Sequence, residues 1–341
     1  MNIKPAIWFP TVETNTGTDV FTERLVKGLN ELGLQAEITW LPLRAEYAPW
    51  SVPVPKPPKW ATITHVNTWM HPRFIPINIP VVATIHHAVH HPNAQSYKGF
   101  ARSIYHSKWI APIERRIMRS ATKLIAVSHF SAQSARASLV DLPIEVIYNG
   151  VDTSVFTPPM FSHRPNERFR LLYIGSWAHR KGVDLLEPIM KLLDDSFELW
   201  YTGGKASSKD KQSMPSNMID IGRLNSGAEV AKIMQLSDAL CFPSRSEGHP
   251  QVVLEAMASG LPILATKGSA VEEILNHGKT GLLSGPEDTY GMAQHANTLK
   301  KDHTLRSSIA KSARSYAINT FSIQRMYEKY IKFYVKILSD I

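Results

Sequence analysis

Phe242-Pro-Ser-Arg-Ser-Glu-Gly-His-Pro-Gln-Val-Val-Leu-Glu-Ala-Met-Ala-Ser-Gly-Leu-Pro262 reads as the end of a strand, a polar loop and a short helix. Pro250 suits the first helical turn, Gly260 the position just beyond the last, and Pro262 blocks continuation. A helix that opens directly after a parallel strand offers its free N–H groups at the strand's carboxyl end. Open α/β sheets bind ligands there, and the helix dipole favours phosphate. Glu247 lies in the loop at the helix mouth and Glu255 lies on the helix, more than one turn in. A carboxylate beside an anion site is unfavourable unless it accepts from hydroxyls, such as those of a ribose or hexose. On spacing alone, a solvated loop acid and a helix-surface acid remain the alternative for this pair.

Outward from this unit the pattern repeats. Runs of β type lie at 6–9, 35–40, 61–66, 80–85, 123–127 and 144–148, and again at 169–174, 198–201, 218–221, 239–242, 262–265 and 281–283. Between the first two, Phe21, Leu25, Leu29 and Leu32 recur at helical spacing, and Gly33 follows as a stop. Such alternation predicts α/β architecture with parallel sheets covered by helices on both faces, and two successive sets predict two doubly wound domains. The expected division is 1–155, 156–320 and a C-terminal amphipathic helix over 321–341 that packs back on the first domain. The linker, 149 to about 167, carries turn signals and no strong period. Residues 49–58 hold prolines at five of ten positions and read as an extended surface connection.

Composition narrows the function. Of 341 residues, 43% are hydrophobic and 20% charged, as in ordinary globular proteins, and the one cysteine, Cys241, sits in an apolar run. A disulfide framework and a Cys-rich zinc site are excluded. The start, Met1 to Phe9, reads as a first strand rather than a signal peptide, so the cytoplasm is the expected compartment. A net charge of +9 suits an anionic partner: nucleic acid, phosphorylated metabolite or acidic lipid. The excess concentrates in 97–123, where Lys98, Arg102, Lys108, Arg115, Arg116, Arg119 and Lys123 face a single acid, Glu114. Phe100, Ile104, Tyr105, Trp109 and Ile110 are interleaved there, a mixture that suits an anionic membrane surface. Pro112 is expected to interrupt that helix, and a core-facing apolar side with merely solvated cations is the competing reading.

Several motifs are absent. There is no Gly-x-Gly-x-x-Gly, no P-loop, no Gly-x-Ser-x-Gly and no Asp-x-Asp to hold a cation on a diphosphate. Phosphate chemistry must then rest on backbone amides and on cations such as Arg180 and Lys181, adjacent in Gly175-Ser-Trp-Ala-His-Arg-Lys-Gly182. Thr14-Asn-Thr-Gly-Thr-Asp-Val20 places Gly17 where backbone can approach a ligand closely, and Asp19 where it meets acceptor hydroxyls or simply the helix N-terminus. His86, His87, His90 and His91 end a strand; on a helix they would pair by faces into a zinc site.

Glu247, seven residues and Glu255 match the Glu-x7-Glu motif of the retaining GT-B glycosyltransferases of family GT4. Glu255-Ala-Met-Ala-Ser-Gly-Leu-Pro262, Gly278-Lys-Thr-Gly-Leu282, Val127-Ser128, Tyr148-Asn-Gly-Val-Asp152 and Arg180-Lys-Gly-Val-Asp184 also resemble that family, in order, from about residue 6 to the final helix. The resemblance implies two Rossmann-like domains facing a cleft. A nucleotide-diphosphate sugar would serve as donor and a glycan or lipid-linked molecule as acceptor, with no metal, no other cofactor and no nucleic-acid partner. It implies a hexosyltransferase of surface-glycan, lipopolysaccharide or glycolipid biosynthesis, cytoplasmic and peripheral on the inner membrane face. By the same resemblance Glu255 takes the ribose. Glu247, with Gly248, His249 and Pro250, faces the transferred sugar, and Gln251 meets the diphosphate through its amide. Arg180 and Lys181 clamp the diphosphate, although Ser176 replaces the arginine that many members carry after the strand-end glycine. Gly203 and Leu224 lie beside the nucleotide, and Gly17 also belongs to the donor contacts. His86 meets the reacting sugars, and His87, in place of a commoner Asp, joins Asp19 on the acceptor side. Other enzymes of this fold, an epimerase or a phosphorylase, and a non-catalytic basic nucleic-acid binder are the rival functions.

Overall fold

The computed structural model describes residues 4–87, 89–91, 99–159, 168–210 and 214–340. Tyr97 and Lys98 of the basic stretch, the end of the linker from 160 to 167, and Met1 to Ile3 of the first run lie outside the described residues. The chain divides into two compact units, one made of the part up to Asn149 with the segment from Gln324, the other of Gly150–Ile323.

The first unit holds strands β1 (Ala6–Val12), β2 (Gln35–Leu41), β3 (Ile63–Asn67), β4 (Val81–Ile85), β5 (Lys123–Ala126) and β6 (Glu145–Val146). All pairings are parallel, in the order β2-β1-β3-β4-β5-β6. Every residue of β1, β3 and β4 is buried, as strands covered on both faces require. Helices α1 (Gly17–Glu31), α2 (Arg44–Tyr47), α3 (Phe100–Tyr105), α4 (Ala111–Ser120) and α5 (His129–Ser138) belong to this unit. As expected, the regular α-helix is interrupted next to Pro112, although the chain stays helical. A π turn over His106–Ile110 joins α3 to α4. The wider turn accommodates a residue that cannot donate and whose ring would meet the carbonyl four residues back.

The second unit holds β7 (Phe169–Tyr173), β8 (Phe197–Tyr201), β9 (Met218–Asp220), β10 (Ala239–Phe242), β11 (Ile263–Thr266) and β12 (Leu282–Ser284). Its parallel order is β12-β11-β10-β7-β8-β9, the arrangement of dinucleotide-binding sheets, with the switch between β7 and β10. The first sheet instead has its switch between β1 and β3. Helices α6 (Val183–Lys191), α7 (Gly227–Gln235), α8 (Gln251–Ala258), α9 (Val271–Ile274), α10 (Thr289–Lys301) and α11 (His303–Phe321) complete this unit. Leu171, Tyr173, Leu199, Cys241 and Leu264 from the sheet meet Leu186, Ile189 and Ala296 from helices in one core.

Helix α12 (Ile323–Ser339) buries Tyr330, Phe333, Tyr334 and Ile337 in the first unit. Tyr327 lies so close to α1 that a Cβ on Gly28 would sit 2.0 Å from its ring. His65 bridges the Tyr334 hydroxyl and Thr84 Oγ1, both at 2.6 Å. Burial holds this imidazole near pKa 3, so it is neutral at pH 7.

Candidate active site

In the second unit the loops after β7 and β10 meet at the switch point. Gly182 makes this approach possible. It adopts a left-handed φ of 71°, and a Cβ there would lie 2.1 Å from the Pro243 carbonyl oxygen. The loops are zipped by Arg245 N–H donating to Arg180 O at 3.0 Å and by Arg180 donating to Ser246 O at 2.5 Å.

Their side chains converge on Glu247, which is buried. Lys181 Nζ donates to its Oε1 at 2.6 Å, Ser244 Oγ donates to the same oxygen at 2.5 Å, and Arg180 stands 3.7 Å from Oε2. Burial alone would raise this carboxyl's pKa. Lys181 and Arg180, with the hydrogen bonds from Lys181 and Ser244, outweigh it and hold the pKa near 2. Two fixed cations and one carboxylate thus form a cluster of net charge +1.

Helix α8 opens beside this cluster with Pro250 as its cap residue. The first amides, those of Gln251 and Val252, have no intrahelical acceptor by construction. Glu255 is buried one turn below Gln251, on the same face. Gly248 continues the loop to His249, whose ring lies edge-on to Phe321 at 5.4 Å. Burial pushes the His249 imidazole down to about 3, so it adds shape and no charge at pH 7. The helix ends as expected, with Gly260 at φ 63°.

At the other end of this sheet's ligand edge, Gly203 donates its amide to Asp220 Oδ1 at 3.0 Å, and a Cβ there would collide with Ser207 and Tyr201. Gly204 and Gly222 donate to the same carboxylate. Gly203 is therefore a turn former whose amide is already engaged. Leu224 lies half-buried in the loop that follows β9.

The first unit's ligand edge is built differently. Asp19 is buried, and its carboxylate accepts from the amides of Thr14 and Asn15, both at 2.7 Å, and from Thr14 Oγ1 at 2.8 Å. These bonds organise the loop that precedes α1. Gly17 opens α1, and a Cβ there would meet nothing within 4 Å. His86 follows β4 and lies edge-on to Phe21 at 4.8 Å, with a pKa that burial lowers to about 4. His87 is half-buried beside it. The described residues 86, 87 and 89–91 are not helical, and the histidines go separate ways: His90 Nε2 meets Glu114 Oε2 at 2.6 Å, and His91 packs on Phe130. Among the described residues no group of three or more His, Cys, Asp or Glu is placed to hold a metal ion.

Sequence reading missed three positions. Arg245 forms bidentate pairs with Asp184 at 2.7 and 2.8 Å and with Glu287 at 2.5 and 2.6 Å, which raises its pKa and ties the β10 loop to α6. Asp220 and Gly182 are the others. Apart from Gly222, two positions from Asp220, their partners are distant in sequence, as for Gly204–Asp220 at 16 and Arg245–His179 at 66 positions, so no local pattern announces them.

The basic stretch is divided. Phe100 and Ile104 are 83% and 46% exposed, whereas Ile110 is core. Tyr105 and Trp109 donate to the side chain and backbone of Glu46 on α2. Arg115 donates to Ser138 O at 3.1 Å and Leu139 O at 3.4 Å, at the end of α5, so it is a structural cation. Among the described residues no helix is long and apolar enough to cross a membrane.

Two family models match successive parts of the chain: Glycosyltransferase Family 4 over residues 59–155 and Glycosyl transferases group 1 over 168–302. An uncharacterized glycosyltransferase of Methanocaldococcus jannaschii is 26% identical over 243 residues, 71% of this chain. The chain spans 64% of that relative's length. The sucrose-phosphate synthase structure from Thermosynechococcus elongatus superposes with a TM-score of 0.81 at 15% identity, covering 98% of this chain and 100% of that one. Anabaena HepE in complex with UDP-glucose gives 0.72 at 16% identity, covering 98% and 100%. These likenesses establish the GT-B fold.

Proposed function

We propose that this chain, which belongs to the family 4 glycosyltransferases, transfers a hexose-type sugar from a nucleotide-diphosphate donor to a hydroxyl of a glycan or lipid-linked acceptor. The anomeric configuration is retained, and the acceptor belongs to surface-glycan, lipopolysaccharide or glycolipid synthesis. The observation that carries this reading is the Lys181–Arg180–Glu247 cluster beside the N-terminus of α8. Lys181 and Arg180 neutralise the diphosphate as it departs, together with the amides of Gly248 and Gln251. Glu255 accepts from the ribose hydroxyls, and Leu224 lies toward the base. His86 and His87, on the first unit, contact the reacting sugar and the acceptor. A UDP-glucose complex of a protein with this fold supports the donor class.

The same cluster bears on stereochemistry. A double displacement needs a nucleophilic carboxylate on the sugar's far face. Glu247 is held by two cations and a hydroxyl with a pKa near 2. It is a poor base and a shielded nucleophile, which favours attack on the face the diphosphate leaves, with a phosphate oxygen taking the acceptor proton. The cations supply the charge a metal would otherwise bring, so turnover persists in EDTA. A panel of nucleotide-sugars scored by thermal shift and donor hydrolysis tests the reading. It expects at least one donor to bind in wild type and to lose affinity in Glu255→Ala. Wild-type affinity in that variant, or activity restored only by a divalent cation, overturns it.

A further inference from the structure

The second unit carries a groove of about 680 Å³ between the α9–β12 segment and α11. That volume is in the range of small-ligand sites, ~300–1,000 Å³. From the groove's chemistry we infer a second carbohydrate-binding subsite, for a short neutral oligosaccharide.

Its charges cancel: Glu272 and Glu273 on one wall are matched by Lys279 and Lys311. A phosphate-bearing ligand would leave those carboxylates repelled, whereas a neutral polyol finds both donors and acceptors. Asn276 and Asn319 add amides that can each give and take a hydrogen bond with neighbouring hydroxyls. Tyr316 is the aromatic platform. It is 39% exposed, and its ring is fixed edge-on to Phe321 at 5.3 Å and 78°. A fixed aromatic face offers apolar area to the C–H side of a sugar at little entropic cost. The opposite wall is also rigid, since Thr280 donates to Asn276 O at 2.9 Å and Asn276 N–H donates to Thr280 Oγ1 at 2.8 Å.

Both walls reach the Glu247 loop. Phe321, against which Tyr316 packs, itself packs on His249. Ala270, just before α9, donates its amide to Glu247 O at 3.3 Å. An oligosaccharide in the groove therefore stiffens the loop that precedes α8. Binding stands on the groove alone; the coupling rests on the donor-site reading above. For an enzyme acting on glycans, such a subsite raises the effective concentration of the chain.

The test uses the whole protein and maltohexaose, cellohexaose and laminarihexaose as probes, followed by NMR line broadening, with pyrophosphate as the anionic control. At least one hexasaccharide binds with millimolar affinity, and Tyr316→Ala and Asn319→Ala each weaken it about tenfold. UDP-induced thermal stabilisation remains in both variants, which also shows that they are folded. No binding of any hexasaccharide at ~10 mM, binding unmoved by both substitutions, or displacement by pyrophosphate overturns the subsite. Absence of a shift with any nucleotide in wild type would instead defeat the donor reading and leave the groove's result standing.

Discussion

The two sheets are both parallel and six-stranded, yet their ligand edges hold polar groups in opposite ways. In the second unit the side chains converge: Lys181, Arg180 and Ser244 all reach Glu247. In the first they diverge: His86 faces Phe21, His90 faces Glu114, His91 faces Phe130, and Asp19 serves its own loop. A convergent cluster of fixed charge is preorganised for an anion whose charge grows during reaction. A dispersed edge, whose polar groups each serve a different neighbour, provides shape and single hydrogen bonds, which suits a hydroxyl-bearing partner. The difference teaches that the shared sheet sets where ligands bind, while the connecting loops set which kind.

The comparison breaks first at Lys181. Lys181→Ala leaves the buried Glu247 carboxylate with only the distant Arg180 and Ser244, and breaking a buried pair costs about 3–5 kcal/mol where desolvation is complete. Turnover should fall by ~10²–10³, the range for one donor to developing charge. On the first unit's edge, His91→Asn should change kcat by only a few-fold. Steady-state kinetics on both variants compares the edges directly, and equal losses would refute the contrast.

Gly182→Ala comes next. A left-handed alanine costs roughly 1–2 kcal/mol, and the new Cβ would sit against the Pro243 carbonyl, which is backbone and cannot yield cheaply. The β7 loop must retreat, carrying Lys181 away from Glu247. A misplacement of ~1 Å at such a site lowers activity by ~10². Urea denaturation and donor affinity should both worsen; a change in stability with unaltered donor affinity would show that the cluster does not depend on this approach.

What the sequence makes legible follows the same line. Among the described residues all twelve strands fall on or beside the predicted β runs; the inner strands β1, β3 and β4 are buried throughout and so read as apolar, whereas β2 is legible by its alternation. The α8 unit is legible since Pro250, Gly260 and Pro262 act locally. Resemblance to a family named Glu247, Lys181 and Arg180, but not that they touch, because their loops lie 66 positions apart and are joined only by folding. Asp220, Arg245 and Gly182 are hidden for the same reason. The histidine run has i, i+4 spacing that would pair its members on a helix, but the resemblance implied no metal, and His86, His90 and His91 point to separate neighbours.

Acid sharpens the contrast more gently. His65, His86 and His249 have folded pKa values near 3, 4 and 3 against an ordinary 6.5. The unfolded chain binds more protons between those values, so stability rises with pH there and is lost as pH falls below 6.5. Each contributes up to ~1.4 kcal/mol per pH unit. Glu247, lowered from 4.5 to about 2, loses its contribution only below 4.5. Denaturation midpoints should therefore be flat above pH 7, fall from 6.5, and fall further below 4.5. His249→Asn should make the first decline shallower by about a third, His65 and His86 remaining, and Glu247→Gln should affect only the second. A midpoint that holds steady from pH 7 to 5 would contradict the burial of these imidazoles.

The smallest effect concerns the helical stretch from Phe100 to Ser120, on the unit with the dispersed edge. We propose that its exposed part rests on anionic membrane, the expected location of a lipid-linked acceptor. Phe100 and Ile104 are exposed, as are Arg102, Lys108, Arg116 and Arg119, whereas Tyr105, Trp109, Ile110 and Arg115 are engaged inside the unit. That division dictates the variants. Reversing Arg115 would cut its bonds to the end of α5 and confuse binding with folding, so Arg102, Arg116 and Arg119 become Glu together, and Phe100→Ser is made separately. Each cation near an anionic surface contributes ~1 kcal/mol, and the attraction is screened within a Debye length. The triple reversal should lower sedimentation with anionic vesicles by more than tenfold at low salt and leave neutral vesicles and thermal stability unchanged. Phe100→Ser should lower it by less. If wild type fails to sediment, or the triple variant sediments equally, this surface does not meet lipid. The edge of the first unit must then receive a soluble acceptor, which its dispersed hydrogen-bonding groups fit equally.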